Sequence, residues 1–205
     1  MMMPAPWPSL RAGWPLFAGL RWLLAAVLFA VAVSGAAGAD RPAVDSILKP
    51  LNLRGYPPGT MPPPFSGRTL DARHVSLTEL RGKVVIVNFW ATWCLECRPE
   101  MPVLEQLHRE FAPRGLAVIG INAYEGKSAV RRYAKELGLT FPLVLDPDRR
   151  INAQYGVIGL PTTFVLGRDG YAVAFGIGPR EWAGAPARAL IGALLAEATP
   201  RLDGR

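Results

Sequence analysis

Cysteine is nearly missing from this chain of 205 residues, which holds only Cys94 and Cys97. Neither has another intrachain partner, so an internal disulfide can only join these two. The ring it closes is too small to restrict an unfolded chain usefully, yet it is well suited to opening and closing by thiol exchange. Scarcity thus argues for redox chemistry and against stapling. Histidine is as rare, with His74 and His108 alone. Structural zinc wants four tetrahedral ligands, so a zinc site within the chain is disfavoured and no metal is assigned. The upstream proline and threonine arrangement of a peroxidatic cysteine is lacking around Cys94, and Thr92 alone does not supply it. There is no internal repeat. No motif for nucleic acid is present either, so no nucleic-acid partner is expected despite a formal net charge of +7.

Charge is absent from the first 39 residues apart from Arg11 and Arg21. An uncharged apolar run from Trp22 to Ala39 follows, and Ala37-Gly38-Ala39 places small residues where a signal peptidase cuts. Residues 1–39 therefore read as an export signal, with the mature chain starting at Asp40. At 18 residues the run is near the lower limit for crossing a bilayer. An uncleaved anchor is the second reading. Either way the remainder lies outside the cytoplasm, and no cysteine stands near the cleavage site to carry a lipid. Cleavage leaves a formal surplus of five positive charges. These are spread along the chain, as at Arg131, Arg132 and Lys135, where a solvated helix face is the expectation. An exported chain with a lone cysteine pair fits an oxidising compartment, and the signal type fits a bacterial periplasm.

Residues 40–64 are punctuated by Pro42, Pro50, Pro57, Pro58 and Pro62-Pro63-Pro64. They read as an extended linker. Residues 65–201 form one domain of ordinary size for a single core. Its pattern predicts a short hairpin over Gly67–Val75, a helical turn at Leu77–Leu80 and then alternating strands and helices. Strands are expected at Val84–Trp90, Leu116–Asn122, Leu143–Leu145, Thr163–Leu166 and Tyr171–Phe175, the last two turned by Arg168-Asp169-Gly170. Helices are expected at Arg98–Ala112, Ser128–Leu137 and Arg150–Tyr155, and from Pro186 onward. Parallel crossings followed by an antiparallel hairpin and a covering helix give an α/β fold: a mixed central sheet flanked by helices, with an N-terminal β-hairpin extension.

The cysteines fall where the run Val84–Trp90, β-branched and almost unbroken, gives way to a helix. That helix buries Met101, Val103, Leu104, Leu107 and Phe111 and turns Glu105, Gln106, Arg109 and Glu110 outward. Free N–H groups at its start, with Arg98 nearby, should lower the pKa of Cys94 and make it the attacking sulfur. Cys97, a turn further on, is then the resolving thiol. Trp90 reads as core, His108 as surface, and Trp93 as part of an apolar rim beside Cys94.

Four stretches carry a family resemblance: Leu80-Arg81-Gly82-Lys83, Asn88-Phe89-Trp90-Ala91-Thr92-Trp93-Cys94, Arg98-Pro99-Glu100-Met101-Pro102 and Gly159-Leu160-Pro161-Thr162-Thr163-Phe164. Together they are similar to thioredoxin-fold proteins, most closely the exported TlpA/ResA/DsbE group of thiol-disulfide oxidoreductases. The resemblance implies a redox-active Cys94–Cys97 disulfide with no other cofactor. It also implies a cis bond before Pro161 and client contacts from Trp93, Leu160, Pro161 and Thr162. Cytoplasmic thioredoxins carry a buried aspartate where this chain has Asn88. The exported group instead has a glutamate matching Glu100, which implies a proton acceptor for the resolving thiol.

The function so implied is reduction of disulfides in client proteins, as in cytochrome c or oxidase assembly, by a monomer. A membrane thiol-electron transporter of the DsbD/CcdA type would supply the electrons. Pro161-Thr162-Thr163-Phe164 differs from the Pro-Glu-Thr-Phe of the cytochrome-specific branch, which favours a broader TlpA/ResA-like role. Leu95-Glu96 departs from the Gly-Pro or Glu-Pro of many relatives and leaves the redox potential open. Two rivals stand beside this reading: a disulfide-forming oxidant, and a Cu(I) metallochaperone using both thiolates.

Overall fold

In the computed structural model, which describes residues 42–198, the described residues open with a short helix, α1 (Pro42–Leu48), and a two-residue strand, β1 (Arg54–Gly55). A hairpin follows, β2 (Ser66–Arg68) and β3 (His74–Ser76), then a 3-10 turn at Leu77–Leu80 and β4 (Val84–Trp90). The remaining elements are α2 (Glu100–Phe111), β5 (Leu116–Ala123), α3 (Lys127–Leu137), β6 (Leu143–Asp146), α4 (Arg150–Gln154), β7 (Thr162–Leu166), β8 (Ala172–Ile177) and α5 (Ala185–Ala196). The leader, cleavage and anchoring expectations fall on residues outside the described ones. Among the described residues no helix is long and apolar enough to cross a membrane.

Six strands form one sheet in the order β1-β8-β7-β4-β5-β6, with β2 and β3 as a separate pair. Parallel pairing of β4, β5 and β6 and antiparallel pairing of β4, β7, β8 and β1 make it mixed, as expected. All seven residues of β4 are buried, so this strand needs apolar side chains on both faces. Period two divides them: Val84, Ile86 and Trp90 join α1, α2, α3 and α5 in one cluster, while Val85, Val87 and Phe89 pack with Phe65, Ile151, Tyr155 and Phe164 in another. Asn88 has the parity of the α2 face. At Gly120 on β5 the Trp90 indole comes so close that an added Cβ would meet its Nε1 at 2.9 Å.

Within the stretch 40–64 expected to be a linker, the described residues 42–64 are ordered against the domain. Val44, Leu48, Leu51 and Leu53 are buried in the main core. β1 pairs with β8, and the contact continues beyond it, as Tyr56 N–H donates to Val173 O (2.8 Å) and Thr60 O accepts from Ala172 N–H (2.8 Å). The prolines here accompany an edge strand, where a missing N–H costs no ladder bond. Glu105 also departs from expectation. It is buried on α2, its carboxylate accepting from Thr140 N–H (2.7 Å), Thr140 Oγ1 (2.6 Å) and Arg109 Nε (2.5 Å). His108 is half-buried with its ring against Phe141, and burial lowers its pKa.

Candidate active site

The strand β4 delivers the cysteines and a run of tight turns holds them. Cys94 and Cys97 are joined as a disulfide with Cα atoms 5.3 Å apart. Cys97 N–H donates to Cys94 O (3.1 Å) and Glu100 N–H to Cys97 O (3.1 Å), so regular helix begins only at Glu100. Pro99 and Pro102 bring no N–H to this stretch. Cys97 N–H also reaches Cys94 Sγ at 3.2 Å, a donor placed to stabilise negative charge on that sulfur once the bond opens.

Exposure distinguishes the two sulfurs. Cys94 keeps 7% of its surface and Cys97 keeps none. Only Cys94 can meet a partner without rearrangement. Trp93 beside it is 60% exposed and Leu95 still more so, giving the apolar rim expected of that position. Arg98 behaves otherwise than expected. Its guanidinium pairs with Glu136 and lies over the Tyr133 ring, 5.4 Å from its centroid, so its charge is directed toward α3 rather than held for Cys94.

The loop ahead of Cys94 is tied down by Glu125. That carboxylate accepts from Thr92 N–H (2.6 Å), from the Thr92 hydroxyl and from Asn122 Nδ2 (2.7 Å). It clamps the end of β4 to the end of β5. On the opposite side the Leu160–Pro161 peptide is cis, as expected. Leu160 is half-buried, whereas Pro161 and Thr162 are buried. Pro161 O accepts from Gly178 N–H (2.7 Å), and the Thr162 hydroxyl donates to Gly159 O (2.7 Å). Thr162 therefore shapes the loop from within, and its side chain is not on the outer face.

Glu100 opens α2 with only 4% of its surface exposed. Its Oε1 accepts from Arg180 N–H and from Trp182 Nε1 (3.1 Å). Oε2 is buried without a partner among the described residues, as is Oδ1 of Asn88, whose Nδ2 donates to Thr163 Oγ1 (2.9 Å). Burial pushes the Glu100 carboxyl up to about 7, against the opposing pull of the Arg180 N–H, the Trp182 indole, the Arg180 charge and Asn88. Arg180 and Trp182 were not anticipated from sequence. Trp182 stands alone in a glycine- and proline-rich loop; that hints at burial but says nothing of a carboxylate 82 residues away.

A half-hidden disulfide beside a cis-proline loop, with a buried, ionisable carboxyl one turn on, is equipment for passing protons and electrons between sulfurs. Comparison with known proteins agrees. Residues 58–174 match the AhpC/TSA family. The chain belongs to that family. It is 43% identical over 119 residues to the thioredoxin-like protein YneN of Bacillus subtilis, covering 57% of this chain and 69% of that one. It is 39% identical over 112 residues to the thiol-disulfide oxidoreductase ResA of Geobacillus thermodenitrificans, covering 55% and 64%. The chain thus spans about two thirds of the length of these curated relatives. A solved thiol:disulfide interchange protein of the thioredoxin family from Chlorobium tepidum superposes with a TM-score of 0.60 at 34% identity, covering 69% of this chain and 97% of that one. This AhpC/TSA protein is, at the level of reaction class, a thiol-disulfide oxidoreductase with a thioredoxin-like fold.

Proposed function

We propose that the protein is an exported, periplasmic reductase that opens disulfides in client proteins and acts as a monomer. The observation that carries this reading is the asymmetry of the pair: Cys94 at the surface, Cys97 sealed beneath it, and Glu100 poised near neutrality one turn on. In the reduced enzyme the Cys94 thiolate attacks a client disulfide, forming a Cys94–client bond and releasing one client sulfur as thiolate. Cys97 then gives its proton to the Glu100 carboxylate and attacks the Cys94 sulfur. The mixed disulfide breaks, the second client sulfur leaves and takes up the proton, and the enzyme departs with Cys94 and Cys97 oxidised. Two electrons have moved to the client.

Leu160, ahead of the cis bond, offers backbone against which an extended client segment pairs as an added strand, with Trp93 as the apolar flank and Pro161 and Thr162 fixing the bend. Reduction of the enzyme for the next cycle falls to a membrane thiol-electron transporter of the DsbD/CcdA type. Cytochrome c and oxidase assembly supply the client class. Support for export comes from residues 1–39, with their two arginines, apolar run and small residues before Asp40.

Trapping tests the order of attack. With insulin as the disulfide probe, reduced Cys97→Ala should accumulate a mixed disulfide through Cys94, and Cys94→Ala should accumulate none. An adduct through Cys97, or no adduct with either variant, contradicts the assignment.

A further inference from the structure

Beside Cys94 lies an open cleft of about 300 Å³, lined in part by Trp93, Tyr124, Arg149, Ile158 and Leu160. The rim is apolar and exposed, with Tyr124 at 56% and Ile158 at 86%. Two of the four non-glycine residues with positive φ among the described residues line it, Tyr124 at 65° and Arg149 at 55°. Side chains are disfavoured in that conformation, and glycine takes it freely. Strain of this kind gathers at working sites. An arginine held here against backbone preference points to a use for its side chain.

The surroundings of Arg149 narrow that use. Its guanidinium lies 4.5 Å from the Tyr124 ring centroid, donates to the Tyr124 hydroxyl and reaches Val157 O at 3.2 Å. Neither acceptor carries charge. Nε is buried without a partner among the described residues. Of the carboxylates close in sequence, Glu125 is engaged by Thr92 and Asn122 and Asp146 by the N–H groups of Ile151 and Asn152, while the adjacent, exposed Asp148 forms no ion pair with Arg149 among the described residues. The cleft therefore combines apolar walls with a fixed positive charge that the Tyr124 phenol positions and does not neutralise.

We infer that this cleft selects clients with an acidic side chain flanking the reactive cysteine, and that Arg149 is the specificity-determining residue. The inference rests on the reading of Cys94 as the sulfur that meets the client. A segment laid along Leu160 with its sulfur at Cys94 brings the neighbouring side chain to the cleft mouth. A carboxylate there forms charge-assisted hydrogen bonds with the guanidinium beside the apolar surface of Trp93 and Ile158.

The test uses short peptides with blocked termini, each holding one cysteine as a neutral 2-thiopyridyl disulfide and differing only in having Asp, Asn or Lys on both sides of it. Rates with the reduced enzyme are divided by those with 2-mercaptoethanol, which removes the peptides' intrinsic reactivity. Wild type should favour Asp over Asn by about 5- to 10-fold in kcat/KM, through KM, with Lys poorest. Salt should shrink the preference. Arg149→Gly, which relaxes the backbone, should bring the Asp/Asn ratio close to one, and Arg149→Lys should restore part of it. An Asp/Asn ratio near one in wild type, or a ratio that Arg149→Gly leaves intact, overturns the inference while exchange at Cys94 stands. Failure of wild type to react with any of the three peptides overturns the reading of Cys94 and the inference with it.

Discussion

Glu100 holds its proton to about pH 7 in the folded protein, whereas an exposed glutamate releases it near 4.5. Between those values the folded state binds more protons than the unfolded one, so stability declines as pH rises through the interval and levels off above it. The full difference is of the order of 3 kcal/mol. Urea unfolding of the disulfide form of Glu100→Gln should lose this decline and exceed wild type at pH 8 by roughly 1–3 kcal/mol; parallel stability profiles for the two would contradict it. The Trp182 indole works in the opposite sense to burial, because its hydrogen bond favours the carboxylate. Trp182→Phe should therefore move the Glu100 inflection upward in pH, both in stability and in the rate at which the mixed disulfide resolves. A downward shift, or none, would remove Trp182 from the control of this group.

At the scale of elements, the N-terminal segment is structural. Leu51 is among the largest fully buried side chains, and truncating it leaves a cavity in the main core. Leu51→Ala should cost about 2–4 kcal/mol by denaturant titration; a change within about 0.5 kcal/mol, the usual range for surface positions, would show the segment to be dispensable. This segment was hard to read from sequence because a seven-residue helix gives too little periodicity and two-residue β1 gives none. Their order comes from packing on α5 and pairing with β8, which act at long range. β4 shows the opposite case: its unbroken β-branched and aromatic run makes the strand legible to the residue. The cysteine pair was likewise legible from its own spacing, and the cis bond before Pro161 and the position of Glu100 from the family resemblance. Glu105, Arg98 and Trp182 were not, because each is placed by a partner distant in the chain: Thr140, Glu136 and Glu100 itself.

Over the whole molecule, the sheet and the helices on its α2 face seal one sulfur and present the other. Trp93, Leu95, Tyr124 and Ile158 leave large apolar surface exposed close to Cys94 in space or sequence, the mark of a face that meets other chains. In the proposed cycle buried Glu100 serves the step that regenerates the disulfide, and the N–H of Cys97 serves the thiolate that begins it. Which way electrons run is fixed by the free-energy difference between dithiol and disulfide, with about 30 mV corresponding to 1.4 kcal/mol. The equilibrium reduction potential of the Cys94–Cys97 pair, titrated against defined thiol buffers, is the most direct test. A value near or below thioredoxin's, about −270 mV, is expected of a reductase drawing on a membrane electron supply, and a value near −120 mV would contradict that direction and make the protein an oxidant of client thiols.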